Sequence, residues 1–232
     1  MNICLTLTGK TLDEDIVQFE SEKEHTALVE LRVDLLAEND PAAIAAFPKR
    51  VPVPVLLTYR RKADGGAFDG SDEARAKWFA AFFEIMAKTE GRRIAYVDFE
   101  EDFRHDDLTR SAGDLGVRII RSRHDFTGPV TDIANVCRAM VRGTDEIAKI
   151  AFMPRTSADV DRLFAETRDF TDTAHVLCAM GEIGLNSRVF HDLTHSLWTY
   201  ASVGGLGKIG HLSPGGLYEF RQRNQIQGKK PS

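Results

Sequence analysis

The chain has 232 residues, of which 43% are hydrophobic, and its net charge at pH 7 is −5. This length fits one α/β barrel or one to two ordinary domains, with enough apolar residues for a sizeable core. The chain has no basic surplus, which argues against binding to nucleic acid or to an anionic membrane surface. An anionic ligand would therefore have to be held by a few locally placed cations.

The three cysteines, Cys4, Cys137 and Cys178, are far apart and form no C-x-x-C pair. This spacing argues against a disulfide framework and against a zinc knuckle, and it is typical of a reducing compartment. The amino terminus lacks the pattern of a signal peptide, and no apolar run approaches the roughly 18 residues of a transmembrane helix. We therefore expect a soluble cytoplasmic protein.

Strand-like and helix-like stretches alternate along the whole chain. Strands are predicted at residues 3–8, 27–33, 53–60, 94–100, 117–124, 146–153, 174–180 and 197–203. Helices are predicted at residues 11–22, 41–47, 71–88, 108–116, 129–141, 157–167, 186–193 and 215–223. Thr11, Ser71 and Ser157 are the expected N-caps, because short hydroxyl side chains accept hydrogen bonds from the first free amides of a helix.

Eight strand–helix pairs in this length indicate an α/β fold, a single-domain (β/α)₈ TIM barrel. No composition shift divides the chain, so residues 1–224 are expected to form the barrel and residues 225–232 a polar C-terminal tail. The alternative is a doubly wound open sheet. No G-x-G-x-x-G sequence follows the first strand, which argues against a dinucleotide site in either fold.

Lys149 lies in the middle of the sixth strand, in the run Glu146-Ile-Ala-Lys149-Ile-Ala-Phe-Met153. Side chains alternate between the two faces of a strand, and both faces of this strand are otherwise apolar. Burial disfavours an ammonium ion and so favours the neutral amine that condenses with carbonyl groups. The alternative is a structural lysine that packs its stem and keeps its ammonium group in water.

Polar side chains also occur at the carboxyl ends of the other predicted strands, where TIM barrels carry their chemistry. Each of them alone has a structural explanation, such as an ion pair or a solvated strand end. Together they indicate one site, because so many buried charges are unfavourable unless they serve a function. The set comprises Glu30, Arg32, Arg60, Asp98, Glu100, His124, Lys149, Met180 and Arg188.

These residue types suggest carbonyl chemistry on an anionic or polyhydroxylated substrate. Lys149 would form an imine, and His124 would be the general base because its ordinary pKa lies near neutral pH. Glu100 would orient His124. Arg32, Arg60 and Arg188 exceed the number that one ion pair needs, and at least one of them would hold a carboxylate through a pair of hydrogen bonds.

Six short segments carry a likeness to a known family, in the order and with the spacing of that family. They are Glu30-Leu-Arg-Val-Asp34, Thr58-Tyr-Arg60 with Gly65-Gly66, Val97-Asp-Phe-Glu100, Ser122-Arg-His-Asp-Phe126, Lys149-Ile-Ala and Met180-Gly-Glu-Ile-Gly-Leu-Asn-Ser-Arg188. With these segments the chain resembles type I 3-dehydroquinate dehydratase of the shikimate pathway, from about residue 3 to residue 216.

The resemblance implies dehydration of 3-dehydroquinate to 3-dehydroshikimate through a Schiff base, without a metal or another cofactor. Lys149 would condense with the C3 ketone, and His124, supported by Glu100, would catalyse a syn elimination of water. Arg188 would hold the carboxylate. The remaining substrate-binding residues would be Thr6, Glu30, Arg32, Arg60, Asp98, Met180 and Ser213. A homodimer is also implied, whereas composition gives no sign of a nucleic-acid or membrane partner.

The chain departs from the family pattern at two places. Asp64 precedes the Gly65-Gly66 pair where the family usually has a glutamate, which shortens the carboxylate side chain by one methylene. The last loop reads Leu212-Ser-Pro-Gly-Gly216 instead of Ser-Ala-Pro-Gly-Gln. We expect an active enzyme with weaker binding or a different closure, in which Lys208, His211 or Ser213 replaces the missing lid contacts.

Two alternative functions follow from the same residues. The altered lid would suit a dehydroquinate-binding or regulatory module with weakened turnover, although the complete set of Lys149, His124, Glu100 and Arg188 argues against it. A different Schiff-base barrel enzyme, such as an aldolase, would also use a strand lysine. The segments around His124 and Arg188 argue against that reading.

Overall fold

The structure is a computed structural model that describes residues 1–91, 93–204 and 212–227. Its centre is a sheet of eight parallel strands in the order β7-β6-β5-β4-β3-β2-β1-β8. The strands are β1 Ile3–Leu7, β2 Leu28–Arg32, β3 Val55–Thr58, β4 Tyr96–Glu100, β5 Arg118–Asp125, β6 Ile147–Phe152, β7 His175–Ala179 and β8 Thr199–Ser202. All eight predicted strands are therefore present.

A helix follows each strand, as a parallel sheet requires. The helices are α1 Leu12–Glu22, α2 Pro41–Ala46, α3 Asp72–Lys88, α4 Asp106–Asp114, α5 Ile133–Met140, α6 Ser157–Thr167, α7 Leu185–Val189 and α8 Pro214–Gln227. None of the described helices is long and apolar enough to cross a membrane. The architecture is the predicted single-domain (β/α)₈ TIM barrel.

The sheet closes into a barrel at β8. β1 and β8 pair in parallel, with Thr6 opposite Ser202. At the seam between β7 and β8, the amide of Leu197 donates to the carbonyl of His175 at 3.0 Å. The barrel is thus nearly closed, and the carboxyl ends of all eight strands form one rim.

Capping explains where several helices begin. The Thr11 hydroxyl accepts from the Glu14 amide before α1, and the Ser71 hydroxyl accepts from the Ala74 amide before α3, as predicted. The prediction for α6 was wrong by one residue. Thr156 is the N-cap and forms a capping box with Asp159. The threonine hydroxyl accepts from the backbone amide of Asp159, and the aspartate carboxylate accepts from the backbone amide of Thr156.

Apolar side chains fill the space between sheet and helices and also the amino-terminal half of the barrel. The apolar stripe of α3 packs into this space, with Phe79, Phe82, Phe83 and Met86 buried in the core. Inside the barrel, one apolar cluster consists of residues from every strand, among them Leu56, Ile120, Ile147, Val176 and Trp198. This filling leaves the carboxyl ends of the strands for polar side chains.

The chain ends differ slightly from the prediction. α8 begins at Pro214 and continues to Gln227, so it includes the first residues of the expected tail 225–232. Residues 228–232 lie outside the described part of the chain. Lys208 and His211, which were expected to replace lid contacts, also lie outside it.

Candidate active site

Lys149 lies inside the barrel, in the middle of β6, and is only 6% exposed. Its Nζ atom is 3.0 Å from Asp98 Oδ2 and 3.6 Å from Glu30 Oε1, and it lies 4.4 Å from the centroid of the Tyr200 ring. The predicted burial is therefore confirmed. Two carboxylates and an aromatic face therefore surround the Lys149 amine.

Glu30 is fixed by strands on both sides of β2. Its two carboxylate oxygens accept hydrogen bonds from Thr6 on β1 and Thr58 on β3, each at 2.8 Å. Burial opposes the charged form, but Lys149 and Arg32 lower the pKa of Glu30 to about 2. The carboxylate is therefore ionised and cannot rotate freely.

Arg60 forms the base of the site together with Asp98. Its Nη2 atom lies 2.7 Å from Asp98 Oδ2, and the Ser122 hydroxyl donates to the other Asp98 oxygen at 2.6 Å. Burial raises the pKa of Asp98, but Arg60 and Lys149 outweigh it and hold this pKa far below its usual range. Asp98 was predicted to bind substrate, yet it lies behind Lys149 and is not part of the cavity wall.

Glu100 does not support His124, and this prediction was wrong. Its carboxylate binds two guanidinium groups, with Arg60 Nη1 at 2.9 Å and Arg75 Nη1 at 2.6 Å. Glu100 is in register with Ser122, so His124 lies two residues farther along β5, toward the rim. Glu100 therefore orients Arg60, and it reaches the site only through that arginine.

His124 lines the cavity near the end of β5 and is the only described histidine there. Burial, followed by the positive charges of Arg60 and Lys149, lowers the pKa of His124 to about 4, although Asp64 and Asp98 act in the opposite direction. The imidazole is therefore neutral at neutral pH and can accept a proton. The pKa thus lies below the near-neutral value on which the prediction was based, and the use of His124 as a general base stays a prediction.

Asp64 is the carboxylate that faces His124, with 3.8 Å between Asp64 Oδ1 and His124 Nδ1. Among the described residues, no other carboxylate lies within 4.0 Å of a nitrogen of this ring. The Nδ1 atom of His124 forms no direct hydrogen bond with any of them. At 3.8 Å the two groups attract each other without a direct bond. Burial opposes the charged form of Asp64, but His124 and Arg61 lower its pKa to about 2.

The loop after β3 positions Asp64. Gly65 has a φ of 79°, and a Cβ atom there would lie 2.7 Å from the Phe126 ring, so this turn requires glycine. The sequence analysis noted Asp64 only as a shortened side chain and gave it no role. Its position directly before the glycine turn was the signal for that role.

Asp34 joins the same loop to β2. Its carboxylate, with a fully buried side chain, accepts two hydrogen bonds from Arg32, at 2.9 and 2.7 Å. It also accepts from the backbone amides of Arg60 and Ala67, at 3.1 and 3.0 Å. The orientation of Arg32 at the cavity wall is therefore coupled to the conformation of the loop that carries Asp64.

Arg188 reaches the cavity from α7. The turn after β7 is tight, since a Cβ atom at Gly184 would lie 2.1 Å from the Ala179 carbonyl oxygen. Nη2 of Arg188 donates to the Gly181 carbonyl at 2.7 Å, and burial lowers the pKa of its guanidinium. Arg188 is thus part of the cavity wall.

The cleft has a volume of about 630 Å³, which includes the open space at its mouth. Ser213 does not line it, because the Ser213 hydroxyl caps α8 by accepting from the Gly216 amide at 3.1 Å. Tyr200, which no sequence motif indicated, lies on its wall beside Lys149. The predicted residues on the wall are Thr6, Glu30, Arg32, Arg60, His124, Lys149, Met180 and Arg188.

Comparison with known proteins decides the family. The sequence model of the family described as "Type I 3-dehydroquinase" matches residues 3–224. The chain belongs to the type I 3-dehydroquinase family. It is therefore an enzyme of the hydro-lyase class.

Individual relatives agree with this assignment. The chain is 31% identical over 236 residues to a 3-dehydroquinate dehydratase of Klebsiella pneumoniae, a match that covers 94% of this chain and 90% of that protein. It is also 31% identical over 184 residues to one of Methanosarcina acetivorans, covering 76% of this chain and 75% of the relative.

A solved structure supports the fold. The 3-dehydroquinate dehydratase of Geobacillus kaustophilus superimposes with a TM-score of 0.81 at 23% identity, covering 98% of this chain and 92% of that one. At this level of identity the likeness concerns the fold of the barrel.

Proposed function

We propose that the protein dehydrates 3-dehydroquinate to 3-dehydroshikimate through a Schiff base on Lys149. The observation that carries the proposal is the placement of one lysine between two carboxylates inside the cleft, with a neutral histidine on the neighbouring strand. Lys149 and Ser122 are in register across β5 and β6, so His124 lies one pleat nearer the rim. A substrate entering from the rim therefore meets both groups.

The reaction begins with attack of the Lys149 amine on the C3 ketone. The ammonium group first loses a proton, for which the neutral His124 is the available base. His124 returns this proton to the carbinolamine hydroxyl, which leaves as water, so that an iminium ion forms and the imidazole is neutral again. The iminium ion draws electrons from the neighbouring C–H bond. The nearby carboxylates of Glu30 and Asp98 offset the cost of burial and stabilise the positive charge that the iminium ion retains.

His124 then removes the C2 proton, and the electron pair of that bond forms the new double bond as the hydroxyl on the next carbon leaves. The same imidazole returns its proton to the departing hydroxyl, so both groups leave from one face. Hydrolysis of the product imine consumes one water and frees Lys149. The net change is the loss of one water molecule.

The other wall residues bind the substrate in this proposal. Arg188 pairs with the substrate carboxylate, for which a guanidinium is suited by its fork of donors. Glu30 and Arg32 bind ring hydroxyls, Met180 packs against the ring, and Asp64 stabilises the imidazolium form of His124. Asp98, Glu100 and Arg60 hold Lys149 and one another in place from below.

The test combines turnover with chemical trapping. The protein is incubated with 3-dehydroquinate, the enone absorbance of the product is followed, and borohydride is added to reduce the imine before mass spectrometry of peptides. We expect turnover and an adduct on the peptide that contains Lys149, and neither in Lys149→Met. Turnover without an adduct would contradict the Schiff base, whereas substrate binding without turnover would favour the binding module.

The proposal also includes the cellular setting. Cys4, Cys137 and Cys178 are unpaired and buried, which suits a cytoplasmic enzyme in a reducing environment. A homodimer is proposed from the resemblance to the family. Light scattering coupled to size-exclusion chromatography tests it, and a single species of 25.9 kDa would contradict it.

A further inference from the structure

Arg61 lies at the rim beside Asp64 and binds three carboxylates from three segments. Its Nε atom donates to Asp64 Oδ2 at 2.5 Å, and Nη2 lies 2.7 Å from both oxygens of Asp102, which follows β4. Nη1 lies 3.5 Å from Asp72, the first residue of α3. One guanidinium thus connects the loop after β3 with the loop after β4 and with α3.

The arrangement leaves Asp64 shared between two cationic partners. One of its oxygens binds Arg61, and the other faces His124 at 3.8 Å without a direct hydrogen bond. The orientation of this short side chain is therefore set by Arg61 and not by the histidine. Carboxylates that are held by a neighbouring arginine present a fixed direction and a partly neutralised charge.

The exposure of these ion pairs argues against a role in stability alone. The Arg61 side chain is 22% exposed and that of Asp102 is 61% exposed. Ion pairs at such positions contribute little to folding, because water screens them and the long side chains lose freedom. The cluster of three carboxylates around Arg61 lies next to the proposed base. It is better explained by its effect on the orientation and the charge of Asp64.

We propose that Arg61 is a positioning residue for the dehydration, which holds Asp64 at a set distance from His124 and moderates the negative charge that the imidazole experiences. This inference rests on the proposed function, because it concerns the base of that reaction. Arg61 does not line the cleft, so it acts through Asp64 and not on the substrate.

The direction of its effect follows from the charges that face each group. Asp64 faces two cationic partners, Arg61 and His124. The pKa of His124 is raised by Asp64 and Asp98 and lowered by Arg60 and Lys149. Removal of Arg61 leaves the charge of Asp64 uncompensated and free to turn toward His124. The imidazolium is then stabilised, so the pKa of His124 rises.

The first test measures His124 directly and needs no substrate. Proton–nitrogen NMR of histidine-labelled protein follows each imidazole with pH, and His124→Gln assigns the signal. In Arg61→Gln we expect the His124 titration to move upward by about 0.5 unit or more, which corresponds to a modest change in interaction energy. Lys62→Gln is the matched control, since Lys62 is the neighbouring residue and its side chain pairs with Asp69 at the surface. An unchanged His124 titration in Arg61→Gln overturns the inference.

The second test is a double-mutant cycle on turnover. Arg61→Gln should lower kcat about tenfold with little change in KM, and it should have no further effect in the Asp64→Asn background, because coupled residues are not additive. Arg61→Lys should recover part of kcat, since a single ammonium cannot hold Asp64 and Asp102 together. Equal losses in both backgrounds would contradict positioning through Asp64.

The two tests separate this inference from the proposed function. If the parent protein does not turn over 3-dehydroquinate but the His124 titration still responds to Arg61→Gln, the proposed function fails and the positioning of Asp64 stands. Asp102→Asn is a milder variant that keeps the guanidinium and loosens its anchor. We expect it to shift the titration in the same direction by a smaller amount, and a shift in the opposite direction would contradict the proposed anchor.

Discussion

The interior of the site and its rim are built in different ways. Around Lys149 the contacts with Glu30 and Asp98 and that between Asp98 and Arg60 are 2.7–3.6 Å long. All four residues lie in strands except Arg60, which follows the end of β3 by two residues. Around His124 the facing carboxylate comes from a loop and stays 3.8 Å away. The lysine is therefore held by the register of the barrel, whereas the histidine depends on a turn and on the residues that fix it.

The difference concerns energy as well as distance. Charges inside the barrel have lost most of their water, so each one depends on its partner being present. Charges at the rim keep part of their solvation, and their pairing changes reactivity more than stability. Substitutions in the two regions should therefore separate into those that affect both folding and turnover and those that affect turnover alone.

The largest effect is expected for Lys149→Met, which removes the ammonium group but keeps a side chain of similar length. Turnover through the proposed imine should be lost. The free energy of unfolding should fall by about 3 kcal/mol, the lower end for breaking a buried ion pair, because Arg60 still faces Asp98. Activity assays and chemical denaturation measure the two quantities.

A second substitution tests the cause of that instability. Glu30→Gln added to Lys149→Met removes the carboxylate that has lost its counter-ion, so part of the stability should return while activity stays absent. If Lys149→Met alone is as stable as the parent protein, the stability of the interior carboxylates does not depend on Lys149.

The next effect is the pH profile of the parent enzyme. Because burial and neighbouring cations lower the pKa of His124 to about 4, the neutral base is present above that pH and is lost as the pH falls through it. The acid limb of kcat/KM should therefore lie near pH 4, well below the ordinary histidine value of 6.5. Circular dichroism over the same range verifies that the fold persists. An acid limb near pH 6.5 would contradict the proposed burial effect.

Asp64→Glu should have a smaller effect at the rim. The added methylene lets the carboxylate reach His124 Nδ1 across the present 3.8 Å gap and form a direct, charge-assisted hydrogen bond. The acid limb of kcat/KM should move upward by up to about one pH unit, as a closer anion stabilises the imidazolium. Thermal unfolding should change little. A downward shift would indicate that the longer side chain turns to Arg61 instead.

The same contrast explains how far the sequence could predict the site. Alternation along the strands was sufficient to place Glu30, Arg60 and Lys149 in one interior, because strand register is a short-range property. Glu100 was assigned to His124 on the basis of a shared face, but the guanidinium groups of Arg60 and Arg75 occupy both of its oxygens. Arg75 belongs to a helix, and no pattern within β4 could reveal that contact.

Loop residues were harder to predict for a related reason. The pairing of Asp64 with His124 depends on a left-handed turn at Gly65 and on Arg61. Both residues are separated along the chain from His124 by α3, β4 and α4. Loops lack the fixed periodicity of strands, so a motif can indicate that a loop residue matters without indicating its partner. Ser213 was expected at the lid for the same reason and instead caps a helix.

Ser213→Ala should have the smallest effect and also tests that correction. The Ser213 hydroxyl accepts from the Gly216 amide at the start of α8, so its removal should lower the free energy of unfolding by about 1 kcal/mol, as for other lost N-caps. KM for 3-dehydroquinate should stay unchanged, since Ser213 does not line the cleft. Ser213→Asp, which keeps a capping oxygen and adds a favourable charge at the helix start, should restore the stability. A rise in KM in Ser213→Ala without a loss of stability would contradict the capping role and support the lid contact that the sequence predicted for Ser213.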